Sequence, residues 1–564
     1  KGGFSIEPFL QQDGRLVTWN DAKTPQSLAD GYLPIPSVTW ESGPLSLEIT
    51  AFATGEPGDS VLRARYRLQN KGKSEARPRL YLTIRPFQVN PAWQFLGNPP
   101  GGVAPIREIA YDGRMITVNG EKTVQTSTPP AAFGAATFDQ GSITDFLKQG
   151  RLPEPQKVTD PFGYASAAMA WDLRLAPGGT QDIEIAIPLT GVSTGGRGDG
   201  GEGPLAEAIR SWKSELDRFN LRIPAAEPLV HTLKSTLAYI LINQDGPAIQ
   251  PGSRSYERSW IRDGALTATS LLRLGHAEDV RAFLAWYAPF QFENGKVPCC
   301  VDYRGADPVP ENDSHGELIH LAAQYHRFTG DRELITQLWP HIEGAVGYIE
   351  ELRQQRRTAA YKTPEKLPYF GLLPESISHE GYSDKPVHSY WDDAFALRGL
   401  KDAADLAKAL GRTEQAERWA AMRDEFRADF LASLRRTIDL HKIDYLPASV
   451  EKGDFDPTST SILLAPGGEL ADLPQAPLHQ TFERYYRESI ARRDGTRQWE
   501  NYTPYELRTL RTLLRLGWRD RAHELLDFFM NDRRPAAWNH WAEVVWREPR
   551  IPKFIGDMPH TWVG

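Results

Sequence analysis

The feature that most constrains this chain is a glycine-rich break, GVSTGGRGDGGEGP at Gly191 to Pro204, because the hydrophobic period differs on its two sides. Ahead of it, SLEITAFAT (Ser46 to Thr54), SVLRARYRLQN (Ser60 to Asn70), RLYLTIRPF (Arg79 to Phe87), ASAAMAWDLRL (Ala165 to Leu175) and TQDIEIAIPL (Thr180 to Leu189) alternate apolar and polar residues. A period of two puts every second side chain on one face, as half-buried antiparallel strands require. The stretch from about Tyr32 to Leu189 therefore predicts a β-sandwich. The turn-like NKGKSEARP predicts a hairpin between two of its strands. The break itself has the composition of a flexible connection. Behind it, LAEAIRSWKSELDRFNL (Leu205 to Leu221) carries apolar residues at helical spacing and predicts a helix joining the halves. The expected division is a sandwich domain over 1–190, a linker with its helix over 191–225, and a helical domain over 226–564.

In that last part, helical stretches come in pairs joined by short connections such as LGHAED, TGDRE and LGRTEQ, the mark of helical hairpins. Between pairs the loops are long, including Gln291 to His315 and Tyr361 to His388. Short joints on one side and long ones on the other describe a ring of hairpins. About twelve helices without a fixed-period repeat favour a closed toroid over a solenoid. The fold class expected is an antiparallel β-sandwich followed by an (α/α)6 helical toroid.

A chain of 564 residues, 40% apolar and 24% charged, is long enough to bury a sizeable core. Its net charge of −8 offers no basic stripe for phosphates, so nucleic acid is excluded as a partner. The longest apolar runs, such as SILLA at Ser461 to Ala465, are too short to span a membrane. Only two cysteines occur, the neighbours Cys299 and Cys300, which rules out a disulfide framework. A sulfur-based metal site would need further ligands at spacings the sequence lacks, so neither metal nor cofactor is expected. Starting at Lys1 and stopping at Gly564, the chain reads as a trimmed piece of a longer protein, with a periplasmic or secreted place favoured over the cytoplasm.

The tryptophans gather in motif segments, at Trp260, Trp391, Trp499, Trp538, Trp541, Trp546 and Trp562. Such a grouping suits a cleft that stacks flat ligands, of which sugars are the commonest for an acidic protein, although aromatics also dominate ordinary cores. Just before a helix stands WIRDG, where Asp263 fits an N-cap position. Arg262 and Asp263 could equally clamp sugar hydroxyls, with Trp260 as a wall. ENDSHGE, at Glu311 to Glu317, crowds three carboxylates and a histidine into seven positions, more than one helix cap needs, and makes Asp313 and Glu317 candidates.

The loop SISHEGYSDKPVHSYWDD, at Ser376 to Asp393, carries Glu380, placed as a general acid on a loop among aromatics, with Glu375 its competitor. His388, Tyr390, Trp391 and Asp392 complete its sugar-facing set. Near the end, Glu543 in WNHWAEVVW is the candidate base that activates water, while Trp541, Asp557 and His560 are candidates for hydroxyl binding. Trp499 and Glu500, in RQWENYTPYE, join the binding set. Asp456 in GDFDPTST is a lesser acid, and Asp313 and Asp557 are alternatives for the catalytic role. No zinc pattern, GxSxG elbow, phosphate loop or dinucleotide motif appears in a fitting context, so carboxylate chemistry carries the weight.

WIRDGAL resembles the W-x-RD-x-AL segment of glucoamylases, whose Arg and Asp bind the non-reducing sugar, which implies that role for Arg262 and Asp263. DSHGEL is similar to their QLDxYGE segment at Asp313, Gly316 and Glu317. The chain thus resembles the glucoamylase-like glycoside hydrolases and the related phosphorylases. Where those enzymes carry GIWE this chain has GLLPE, at Gly371 to Glu375, which leaves the acid open between Glu380 and Glu375. The resemblance implies an inverting, exo-acting hydrolase of an oligo- or polysaccharide, with Glu380 as acid and Glu543 as base. A phosphorylase of the same clan, a polysaccharide lyase and a non-catalytic carbohydrate-binding protein are the alternatives.

Overall fold

The alternating half of the sequence forms two antiparallel sheets, and strands begin earlier than expected, at Ser5–Gln12. The computed structural model describes residues 3–86, 88–90, 102–190, 203–253, 256–379, 381–548 and 559–562. The glycine-rich break over 191–202 lies outside them, as do Glu380 and Asp557. The chain divides into one unit of Lys1–Ala238 with Ala537–Asn539 and another of Tyr239–Ala536 with His540–Gly564.

In the first unit a five-stranded sheet runs in the order Ala132–Ala136, Ser166–Asp172, Arg79–Arg85, Ser5–Gln12, Arg15–Val17. A nine-stranded sheet holds Thr180–Pro188, Val61–Asn70, Leu45–Thr54 and Leu33–Ser42 as neighbours. One core takes Leu47, Tyr66 and Leu68 from the larger sheet and Leu80, Leu82, Ile84 and Trp171 from the smaller, which makes the pair a sandwich. The expected hairpin between Val61–Asn70 and Arg79–Arg85 does not form, since the two strands lie in different sheets. The Asn70 side-chain amide donates to the carbonyls of Ser74 and Leu175 and carries the chain across instead. Arg79–Arg85 is buried on both faces, because Tyr81 packs under a short helix, Ile143–Lys148, through Ile143 and Leu147. After the break, helix Pro204–Leu216 lays Ala208, Ile209 and Trp212 on Ile35 and Phe52 of the larger sheet.

Antiparallel helical hairpins build the second unit. Ile261–Arg273 and Ala277–Tyr287, Ser314–Thr329 and Arg332–Gln354, Tyr390–Ala409 and Thr413–His441, and Arg508–Arg515 and Arg519–Asn531 are each joined by two or three residues. The first members of these four pairs, with Pro457–Leu464 between the last two, pack side by side in the order Ile261–Arg273, Ser314–Thr329, Tyr390–Ala409, Pro457–Leu464 and Arg508–Arg515, an inner layer. Pro457–Leu464 is a helix where the sequence suggested only an apolar run. Its signal was present in Asp456-Pro457, a side-chain cap followed by proline at the first helical position.

Gly316 lies where two inner helices cross most closely. A Cβ there would stand 2.0 Å from the Phe395 carbonyl oxygen, and one on Gly399 would stand 2.7 Å from the Gly316 Cα. Both neighbours are backbone, so neither helix can yield locally. Gly316→Ala is expected to cost about 1–3 kcal/mol, read as a lowered thermal unfolding midpoint. An unchanged midpoint would disprove the close crossing.

Candidate active site

The site begins at a strand-to-helix junction. Trp260 pairs with Cys300 in a short antiparallel ladder and enters the next helix in extended conformation, at φ −78° and ψ 136°. The helix starts at Ile261, so Asp263 sits inside the first turn and not at the N-cap, which Trp260 occupies. This places Arg262 and Asp263 on a rigid first turn, both about 5% exposed.

The Arg262 guanidinium gathers three carboxylates. It donates to Glu311 and, at 3.3 Å, to Asp313, and its Nε lies 3.7 Å from Asp263. Asp313 also accepts from the Trp391 indole at 2.8 Å, which ties the starts of three inner helices to one charge network. Beneath it, Glu317 is fully buried, and neither of its carboxylate oxygens has a hydrogen-bond partner among the described residues. Burial, reinforced by the Asp313 charge, pushes the Glu317 carboxyl well above the usual range. The same two causes raise Asp392, which accepts from the hydroxyls of Ser376 and Ser378.

Next to it, burial pushes Asp393 up to about 8, well above the usual 3.8. The stability that the neutral carboxyl contributes is therefore whole below pH 3.8 and is lost as pH rises through 8. Asp393→Asn keeps an acceptor for the Leu373 N–H and removes the charge. Its stability is expected to fall less steeply with pH between 5 and 8 than that of the wild type, by up to about 1.4 kcal/mol per pH unit. Parallel pH profiles in thermal melts would sink this assignment.

Above the network opens a cavity of about 130 Å³. Trp260, Arg262, Asp263, Trp391 and Glu543, all singled out in the sequence, line it together, with Asp456 and Trp562. Glu543 accepts a hydrogen bond from the Tyr256 hydroxyl, and Tyr256 packs edge-on against His560 at 4.7 Å. Asp456 caps helix Pro457–Leu464 through the backbone N–H groups of Thr458 and Ser459, and it also accepts from both hydroxyls. Burial acts to raise its carboxyl, but His379 and these donors outweigh burial and hold it below the usual carboxylate value.

Lining residues that the sequence did not single out are Tyr256, His379, Thr458, Ser459, Tyr505 and Arg508. Burial draws the His379 ring below its usual value, and its Nε2 lies 3.0 Å from the Ser459 hydroxyl. The sequence signal for Tyr505 and Arg508 was weak, a helix start after the noted WENYTPYE with no feature to separate Arg508 from Arg511 and Arg515.

Other candidates stand outside that lining. Tyr390 bonds to the hydroxyls of Ser433 and Thr437, and the Trp541 indole donates to the Phe529 carbonyl at 2.9 Å, so both serve packing. His388 is held by Glu451 at 2.7 Å, and Trp499 packs on Tyr502, while Glu500 is exposed. Glu375 is about half exposed and ion-paired with Arg356. Burial tends to raise its carboxyl, but its own backbone N–H and Arg356 hold it below the usual range. His560 is buried, which lowers its ring to about 3, so it stays neutral.

One group among the described residues has the spacing for a metal ion. Cys299, Cys300 and Asp307 bring ligand atoms within 4.8 Å of one another. The chemistry fits poorly, since Arg258 already holds Asp307 at 2.6 Å. The hydrogen bond that Cys299 shares with Cys300, with burial, also raises the Cys299 thiol far above its usual value. Among the described residues no helix is long and apolar enough to cross a membrane.

Residues 254–439 match the model of the bacterial alpha-L-rhamnosidase 6 hairpin glycosidase domain. No curated protein matches the chain. Of solved structures, a bacterial glucoamylase complexed with acarbose superposes with a TM-score of 0.54 at 12% identity, covering 75% of this chain and 61% of that one. The chain thus spans about three fifths of that glucoamylase's length. A rhamnosidase from Klebsiella oxytoca with rhamnose bound gives a TM-score of 0.44 at 13% identity, over 99% of this chain and 94% of that one. A GH78 family rhamnosidase of Bacillus sp. GL1 gives 0.44 at 12% identity, over 91% and 46%. The chain therefore carries the fold of the (α/α)6 glycoside hydrolase-like clan, with antiparallel β-sheets ahead of its helical hairpins.

Proposed function

We propose that this protein is an inverting, exo-acting glycoside hydrolase in which Glu380 protonates the leaving oxygen and Glu543 activates water. The observation that carries this reading is the cavity. Trp260, Trp391 and Trp562 supply ring faces for a sugar, Arg262 and Asp263 supply donors and acceptors for its hydroxyls, and Glu543 supplies a carboxylate held by Tyr256. Among the described residues the cavity has a volume of about 130 Å³, on the scale of one sugar unit, which supports action on a terminal unit.

Support for Glu380 comes from its competitor. Glu375 is drawn below the usual carboxylate range and held by Arg356, so it keeps no proton near neutrality to donate. Glu380 stands one residue after His379, which lines the cavity. Inversion requires the two carboxyl groups about 6.5–9.5 Å apart, leaving room for water between the base and the sugar.

The test is a panel of aryl glycosides and oligosaccharides, with and without inorganic phosphate, followed by NMR of the first anomer released. Inverted sugar released without phosphate is expected. Retained configuration, or cleavage that needs phosphate, would overturn the mechanism. A product absorbing in the ultraviolet through a new double bond would point to a lyase.

A further inference from the structure

The cavity holds two arginines in opposite electrostatic situations. Arg262 is neutralised by Glu311, Asp313 and Asp263. Arg508 makes no ion pair among the described residues, and its one hydrogen bond there runs from Nε to the Tyr505 carbonyl at 3.1 Å. Its guanidinium is instead flanked by three rings, 4.9 Å from the centre of Tyr505 and 5.3 Å from those of Trp391 and Trp562. Burial lowers Arg508 to about 10, a cation stripped of much of its water and still charged.

A partly buried cation without a counter-ion is costly unless a ligand completes it. The carboxylates that share the cavity are engaged. Asp456 receives the backbone and hydroxyl donors of Thr458 and Ser459, and Asp263 belongs to the Arg262 cluster. Arg508 lines the cavity, and its two terminal nitrogens make no hydrogen bond among the described residues, which leaves a planar fork that matches a carboxylate through two parallel hydrogen bonds. A free phosphate is a poorer fit. It would call on several donors, and the hydroxyls nearest to hand, on Thr458 and Ser459, are already given to Asp456.

Resting on the hydrolase reading above, we infer that the sugar this cavity takes bears a carboxylate, a uronic acid at the glycone position, and that Arg508 is the residue that selects it. The rings around Arg508 hold the guanidinium in place and shield part of it from water, which strengthens the salt link and its discrimination.

The experiment compares three forms of one substrate on the intact protein: a 4-nitrophenyl uronide, its methyl ester and the matching neutral hexoside. Gluco and galacto series are used in both anomers, beside calorimetric binding of glucuronate, galacturonate, glucose and galactose. The acid is expected to exceed its ester and the neutral sugar in kcat/KM or affinity by about 10- to 100-fold. Arg508→Met should erase that preference, and Arg508→Lys should keep part of it. Because the ester comparison uses the wild type, it stands even if a variant fails to fold, which circular dichroism would show. Equal handling of acid and ester, a uronide bound or cleaved indifferently to Arg508→Met, or no uronate bound or cleaved at all would each overturn the inference. Arg508-dependent uronate binding without bond cleavage would uphold it and remove the hydrolase reading instead.

Discussion

Glu543→Gln is expected to lower kcat by about 10²–10⁴-fold with little change in thermal stability. The substitution preserves shape and keeps an oxygen to accept the hydrogen bond from Tyr256, so the wall of the cavity should survive. What disappears is the carboxylate that takes a proton from water. Because that proton moves only as the water attacks, the loss belongs in kcat more than in KM. Azide offers a direct check, since an external nucleophile small enough to enter the vacated space should restore part of the rate if Glu543 is the base. A variant that turns over at the wild-type rate would remove Glu543 from the mechanism. Glu380→Gln should show a similar loss, reduced for substrates with good leaving groups because these need less protonation. An equal loss on all leaving groups would return the acid role to another residue.

The second large effect is on stability. Arg262→Met should destabilise the helical unit by about 3–5 kcal/mol, because Glu311 and Asp313, both almost fully buried, would lose the cation that compensates them. The penalty comes less from the lost contacts than from the charges left behind. Adding Glu311→Gln to Arg262→Met should therefore recover part of the loss, a coupling that a double-mutant cycle in denaturant measures. If the two substitutions destabilise additively, Arg262 and Glu311 do not form one buried network. The same experiment bears on function, since the Trp391 indole hangs on Asp313 and would lose its fixed orientation at the cavity wall.

Legibility in the sequence followed the range of the interactions. The strand period on one side of the glycine break and the helical period on the other come from local patterning, and both survive into the fold as a sandwich and helical hairpins. The hairpin expected around NKGKSEARP failed because strand partners are chosen across long separations. Arg79–Arg85 found Ser5–Gln12 and Ser166–Asp172 in place of its sequence neighbour. The expected N-cap at Asp263 was three positions late for a similar reason, since pairing of Trp260 with Cys300 set where the helix could begin.

At the site, residues in dense motifs were visible because a cluster such as ENDSHGE exceeds what any cap needs. Tyr390 and Trp541 looked equally suited for a ligand, yet their polar atoms close on Ser433 and on the Phe529 carbonyl. Arg508 carried no mark at all, being one arginine among several on a polar helix.

By itself the sequence determined the order of the two architectures, the pairing of helices and the inventory of acids and tryptophans available for chemistry, because periodicity and composition are properties of neighbouring residues. Only the tertiary structure decided which of those groups share a cavity and in what charge state. It buried Glu317 and Asp392 so that their carboxyls lie well above the usual range, neutralised Arg262 with three carboxylates and left Arg508 among aromatic rings without one. Desolvation and charge pairing act through space, between residues brought together only when the inner helices close at Gly316 and Gly399.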